Sequence, residues 1–175
     1  MEGKLEKNLV LTGMMGVGKS TIGKSLAERL SFSFVDIDKL IETKEGSSIN
    51  LIFKKKSENY FRRLENIVSL EELKKSDSVI SLGGGAFLNN AIRRAVKYSS
   101  VSFWLDVDIN ELTKRLNKTK RRPLLTGKNL RDNINKIYLE RKKTYSEADY
   151  RIKCNFLDPE TIVNKILKIY EKSGN

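Results

Sequence analysis

Short apolar runs alternate along this chain with longer segments whose apolar residues recur every three to four positions. The apolar runs predict strands at 8–11, 33–36, 78–82, 101–105 and 150–153. The 3.6-period segments predict helices at 19–30, 39–45, 49–56, 58–73, 89–97, 108–118, 130–147 and 159–172. In the helix at 58–73, Phe61, Leu64, Val68, Ile67 and Leu70 supply the stripe. Local chemistry punctuates the pattern. Gly46 ends one helix, Ser48 is placed to cap the next, and Asp158-Pro159 gives a cap with proline in the first turn. Asp108 followed by Glu111 has the spacing of a capping box. Strand and helix alternate throughout, which predicts an α/β fold built on a parallel sheet. Ligands of such sheets bind at the carboxyl ends of the strands.

Directly after the first apolar run stands Gly13-Met14-Met15-Gly16-Val17-Gly18-Lys19-Ser20-Thr21. This is the spacing G-x-x-x-x-G-K-[ST], whose backbone N–H groups cradle phosphates at a helix N-terminus. Gly16, Val17, Gly18 and Thr21 would contribute to the cradle. Lys19 would reach the β- and γ-phosphates, and the Ser20 hydroxyl would ligate Mg²⁺. The chain is expected to bind a nucleoside triphosphate.

Composition narrows the chemistry. The 175 residues are enough for a single domain, 1–175, with its own core. There is no histidine, so any general base must be a carboxylate. The one cysteine, Cys154, is expected to pack inertly at the end of the fifth strand, and a reducing compartment suits it. No run approaches membrane-spanning length, so the reading is a soluble, cytoplasmic protein without a membrane partner. The net charge is +12, and eight basic residues without an acid fall between Leu112 and Arg131. Beside a triphosphate loop, that segment reads as a lid over phosphates, at about 118–131. Within it, Lys118, Lys120 and Lys128 are expected to belong to a solvated face. No aromatics interleave with the basic run, so nucleic acid is not the expected partner.

Further chemistry clusters at the strand ends. Asp36-Ile37-Asp38 puts two carboxylates on one side of an extended chain. Phosphoryl transfer to a hydroxyl needs a metal-side acid and a base at the attacking oxygen, one Asp for each. A plain helix cap is the other reading of Asp38. The third strand runs into Ser81-Leu82-Gly83-Gly84-Gly85 with no acid of the Walker B kind, which leaves Asp36 as the metal's outer partner. Gly84 and Gly85 offer N–H donors and close backbone approach to a small ligand. In Phe61-Arg62-Arg63-Leu64-Glu65 only one arginine can face a pocket beside Phe61 and Leu64. Arg62 and Glu65, three apart, are spaced to pair, either as an oriented clamp for a substrate carboxylate or phosphate or as a surface ion pair. Arg122 lies in the basic loop, where it could neutralise charge on a transferred group. Arg141 is either a second arm on an acidic substrate or surface decoration.

These motifs, in this order and spacing, resemble the shikimate kinase family over nearly the whole chain. The matching stretches are G-M-M-G-V-G-K-S-T, D-I-D, S-I-N-L-I-F, F-R-R-L-E, S-L-G-G-G, R-R-P-L-L and E-R-K-K-T-Y. The resemblance implies a P-loop NTPase fold of the nucleoside-monophosphate-kinase kind, with strand order 2-3-1-4-5 and a mobile lid. It implies ATP-dependent, Mg²⁺-assisted phosphorylation of the 3-hydroxyl of shikimate in aromatic amino acid biosynthesis, by a monomer. It places shikimate on helices at about 38–73, held by Asp38, Arg62, Gly84, Gly85 and Arg141. The two arginines would take its carboxylate, Glu65 would position Arg62, and Phe53 and Phe61 would wall the ring. Asp38 would deprotonate the reacting hydroxyl, with Lys19 and Arg122 completing the catalytic set. Asp36 would assist Mg²⁺ beside Ser20, Arg122 would cover the ATP phosphates, and Arg115 would stack near the adenine. The chain departs from the family at 155–158, which lacks an arginine that some members place near the base. A kinase for another small hydroxy acid such as gluconate, and a non-catalytic nucleotide-binding module, are the rival readings.

Overall fold

The computed structural model describes residues 7–117 and 129–173. Five strands, β1 (Asn8–Thr12), β2 (Ser33–Asp36), β3 (Ser78–Ser81), β4 (Ser100–Asp106) and β5 (Tyr150–Lys153), form one parallel sheet in the order β2-β3-β1-β4-β5. Leu9 of β1 sits beside Val79 on one side and Val101 on the other. β1, β3 and β4 are buried along their whole length, as parallel strands covered on both faces must be. β5, at one edge, buries only Ile152.

The helices are α1 (Lys19–Leu30), α2 (Ile37–Glu45), α3 (Ile49–Lys55), α4 (Glu58–Leu73), α5 (Asn90–Ser99), α6 (Ile109–Asn117), α7 (Leu130–Tyr145) and α8 (Pro159–Ser173). α1 packs on the sheet beside α8, and α5 packs on β4 beside α4. The chain leaves β1 toward β2 but leaves neighbouring β3 toward β4. The crevice between the carboxyl ends of β1 and β3 is therefore the topological switch point, where open α/β sheets bind ligands. The phosphate loop and the glycine triplet open onto it.

Several local expectations hold. Ser48 accepts from Leu51 N–H at 3.4 Å, and Gly46 closes α2 with φ 57°. Asp158 caps α8 by accepting from Thr161 N–H at 2.9 Å. Others are corrected. α2 begins at Ile37 rather than Lys39, because Asp36 caps it by accepting from Lys39 N–H at 3.2 Å. The 108–111 capping box does not form: Glu111 turns to Arg115 and to Phe156 N–H, and Asp108 N–H donates to Asn155 Oδ1 instead. Ile67 is 53% exposed, so the buried stripe of α4 runs through Phe61, Glu65, Val68 and Glu72. Two carboxylates replace apolar residues on that face, and one of them belongs to the site.

Candidate active site

The loop after β1 delivers its residues to α1 in the form the motif demands. Gly18, at φ 101°, is the N-cap of α1; it provides no side-chain cap, and the first turn carries no acid. The free N–H groups and the positive end of the helix dipole therefore face the crevice. Lys19 is buried, its Nζ donating to the carbonyls of Gly13 and Met14 at 2.9 Å each. These bonds curl the lysine along the loop it serves.

Beside the loop lies a cavity of about 200 Å³ lined by Gly16, Gly18, Lys19, Ser20, Thr21, Asp36 and Asp38. A larger cleft of about 650 Å³ opens next to it, walled by α2, α3, α4, Gly84, Gly85 and Arg141. Ser20, Asp36 and Asp38 line both. The Ser20 hydroxyl donates to Asp36 Oδ2. The two carboxylates do converge, but not through strand alternation. The chain turns helical at Ile37, so Asp36 is a cap and Asp38 stands in the first turn of α2.

The larger cleft is a charged frame around two aromatic rings. Phe53 and Phe61 meet with ring centroids 5.0 Å apart, and the Arg62 guanidinium lies 5.2 Å over Phe61. Arg62 Nη1 donates to Glu65 Oε2 at 2.8 Å, while Nε and Nη2 donate to Glu58 at 3.3 and 3.1 Å. Burial opposes the charge on Arg62, but the two glutamates outweigh it and push its pKa up. Burial pushes the Glu65 carboxyl up; Arg62 works against that shift and nearby Asp38 adds to it. Arg63 is exposed, so Arg62 is the arginine that faces the pocket.

The glycine triplet is what lets these groups meet. A Cβ on Gly83 would stand 2.6 Å from both Asp38 Oδ1 and Glu65 Oε1. One on Gly85 would stand 2.5 Å from Arg62 Nη1. The Gly84 carbonyl accepts from Arg141 Nη1 at 2.8 Å and from the Tyr145 hydroxyl at 2.5 Å. Arg141 is accordingly buried against the cleft, not spread on the surface of α7.

With this geometry in place, known proteins give it a lineage. The family model described as shikimate kinase matches residues 15–171. A shikimate kinase of Sulfurihydrogenibium sp. is 44% identical over 161 residues, covering 92% of this chain and 96% of that protein. One from Persephonella marina is 42% identical, covering 92% and 97%. The chain belongs to the shikimate kinase family. Its fold superposes on a solved shikimate kinase from Acinetobacter baumannii in complex with shikimate, with TM-score 0.92, 32% identity and coverage of 96% and 94%.

Within this shikimate kinase scaffold, the cleft brings together Asp38, Phe53, Phe61, Arg62, Glu65, Gly84, Gly85 and Arg141. Arg115, on α6, stands at the other side of the phosphate loop, its Nη1 donating to Val17 O at 3.4 Å and its Nη2 pairing with Glu111. Arg122 lies outside the described residues, as do positions 118–128 of the lid expected at about 118–131; Leu130 and Arg131 already begin α7. Two members of the frame escaped sequence reasoning. Glu58 is four residues before Arg62, a spacing that could have revealed it. Tyr145 is four residues after Arg141, on the same face of α7, but looks like any core aromatic in sequence.

Proposed function

We propose that this chain transfers the γ-phosphoryl group of ATP to the 3-hydroxyl of shikimate, giving shikimate 3-phosphate and ADP in aromatic amino acid biosynthesis. The observation that carries the reading is Asp38, which lines both the phosphate-loop cavity and a cleft walled by two arginines. A donor phosphate and an acceptor hydroxyl can meet only where those cavities join. Arg62 and Arg141 would grip the substrate carboxylate, Glu65 would position Arg62, and Phe53 and Phe61 would wall the ring. Gly84 and Gly85 would line the same cleft with backbone. Asp38 would accept the hydroxyl proton as that oxygen attacks the γ-phosphorus and the bond to the β–γ bridging oxygen breaks. Gly16, Val17, Gly18, Lys19 and Thr21 would hold the phosphates, with Lys19 neutralising charge on the γ-phosphoryl oxygens. Arg115 would flank the nucleoside, and Arg122 would cover the phosphates.

The Ser20 hydroxyl and the Asp36 carboxylate, in contact with each other, suit Mg²⁺, which takes one or two protein oxygens and leaves its other positions to phosphates and water. When bound, Mg²⁺ would neutralise charge on the β- and γ-phosphate oxygens. The chain would act as a monomeric single domain. No helix among the described residues is long and apolar enough to cross a membrane. We place the protein in the cytoplasm without a nucleic-acid partner.

An ADP-release assay with shikimate, quinate, gluconate and nucleoside monophosphates tests the reading. Turnover should be highest with shikimate and depend on added Mg²⁺. Preference for gluconate or a nucleotide, or no ADP release with any acceptor, overturns it.

A further inference from the structure

Arg62 is braced from two sides, and only one of the braces belongs to the wall of the cleft. Glu65 lines the cleft, its side chain 3% exposed, and takes Nη1 at 2.8 Å. Glu58 stands outside that wall with its side chain 52% exposed. Its Oε1 accepts from Nε at 3.3 Å and from Nη2 at 3.1 Å. A half-exposed acid one turn before an arginine is ordinarily surface decoration. Two observations set this pair apart.

The first is the count of donors. A guanidinium offers five N–H groups in a rigid fork. Glu58 uses one on Nε and one on Nη2, and Glu65 uses one on Nη1. One N–H remains on each of Nη1 and Nη2, the number that a carboxylate held by two parallel bonds requires. With Glu65 alone the fork could pivot about Nη1; a contact on its far edge stops that motion. The second observation is the backbone that carries Glu58. Ser57, the N-cap of α4, holds φ 120° and ψ 164°, a region almost reserved for glycine, while its hydroxyl accepts from Tyr60 N–H at 3.3 Å. Strain of this kind persists where the surroundings over-determine it, and it gathers at ligand clamps. Exposure also suits the task. Water screens the charge of Glu58 against an incoming carboxylate, while its two hydrogen bonds still fix the fork. We propose that Glu58 is a positioning residue for the acceptor: it sets which edge of Arg62 faces the cleft and so sharpens the preference for a carboxylate over a neutral group. This inference rests on the acceptor half of the proposed function.

Calorimetric titration of the full chain with shikimate and with its neutral carboxamide, alongside acceptor-varied kinetics, is the test. Glu58→Ala leaves Arg62 to be ordered at the moment of binding. Shikimate affinity should then fall roughly three- to tenfold, the scale of immobilising one long side chain. The carboxamide should weaken clearly less, which narrows the preference for the acid, and KM for shikimate should rise more than kcat falls. Glu58→Gln, whose carbonyl oxygen reaches the same edge, should recover most of the loss. Unchanged shikimate affinity in the alanine variant makes Glu58 an ordinary surface partner and overturns the proposal. So does equal weakening of acid and amide, the mark of a merely structural role, and so does a glutamine variant no better than alanine. A wild-type chain that binds ADP but no shikimate defeats the acceptor assignment itself, and the brace falls with it.

Discussion

Gly85 and Arg62 occupy what would otherwise be the same space: a Cβ on the glycine would lie 2.5 Å from Nη1, 2.8 Å from Cζ and 2.9 Å from Nη2 of the guanidinium. The arginine is also held by Glu65 and Glu58, so it cannot swing aside without breaking charged hydrogen bonds. Gly85→Ala should therefore displace the clamp while leaving the fold intact. KM for shikimate should rise by about tenfold or more, the scale of a disturbed charge-assisted contact, with KM for ATP little changed. Steady-state kinetics with each substrate varied separately decides it; a parallel rise for ATP counts against the assignment.

The clamp itself gives the second prediction. Arg62→Ala removes one partner of a pair in which Glu65 is only 3% exposed, a type of truncation that costs roughly 2–5 kcal/mol. kcat/KM for shikimate should fall at least about tenfold while ADP binding, measured directly, stays constant. Equal loss of nucleotide affinity would remove Arg62 from the acceptor side.

Asp38 is argued to act on the proton, not to hold the substrate. Asp38→Asn keeps the shape and a hydrogen-bonding side chain, so shikimate should still bind. Turnover should fall by about 10²–10⁴, the contribution of a positioned general base. Binding by equilibrium titration and kcat by ADP release separate the two effects. Retained turnover would assign the proton to another acceptor.

The phosphate loop, the strand–helix alternation and the Arg62–Glu65 pair were legible because each is written in local spacing, over residues no more than eight apart. The switch point at β1 and β3 follows from the same alternation once the strand order is known. What stayed hidden depends on packing between distant segments. The triplet at 83–85 reads as a ligand-facing turn, but its glycines are also small because Asp38, Glu65 and Arg62 press against two of them. Tyr145 is apolar in pattern and becomes part of the site only through a hydrogen bond to Gly84, 61 residues away. The turn into α2 at Ile37 was missed because Asp36 serves two masters, ending a strand and capping a helix, and periodicity cannot show a residue that belongs to both.

Tyr145 therefore deserves its own test. Its hydroxyl and Arg141 share the Gly84 carbonyl, and burial pushes its phenol pKa up, with Arg141 partly offsetting the shift. Tyr145→Phe leaves the carbonyl with Arg141 as donor, so the stability cost should be about 1 kcal/mol. Because the backbone of Gly84 would be held less firmly, KM for shikimate should rise more than kcat falls. Denaturant melts and acceptor-varied kinetics measure both; an effect on stability alone would make Tyr145 a core residue and nothing more.

Cys154 provides a prediction about pH. Its thiol is fully buried, its Sγ donating to the Ile152 carbonyl, and burial pushes its pKa up to about 11 from an ordinary 9.0. Because the folded pKa is the higher one, the native state keeps its proton where the unfolded chain has lost it. Stability is unaffected below pH 9 and falls as pH rises from 9.0 through about 11. The loss across that window should be on the order of 2 kcal/mol, from the free energy of one pKa unit. Urea melts of the wild type and of Cys154→Ala at matched pH values should diverge only above pH 9, with the wild type losing more. Thiolate is the reactive form, so alkylation of the native protein below pH 9 should require global opening and scale with the equilibrium population of opened chains. Rapid labelling of the folded chain at neutral pH would mean that the thiol is neither buried nor protonated as the structure has it.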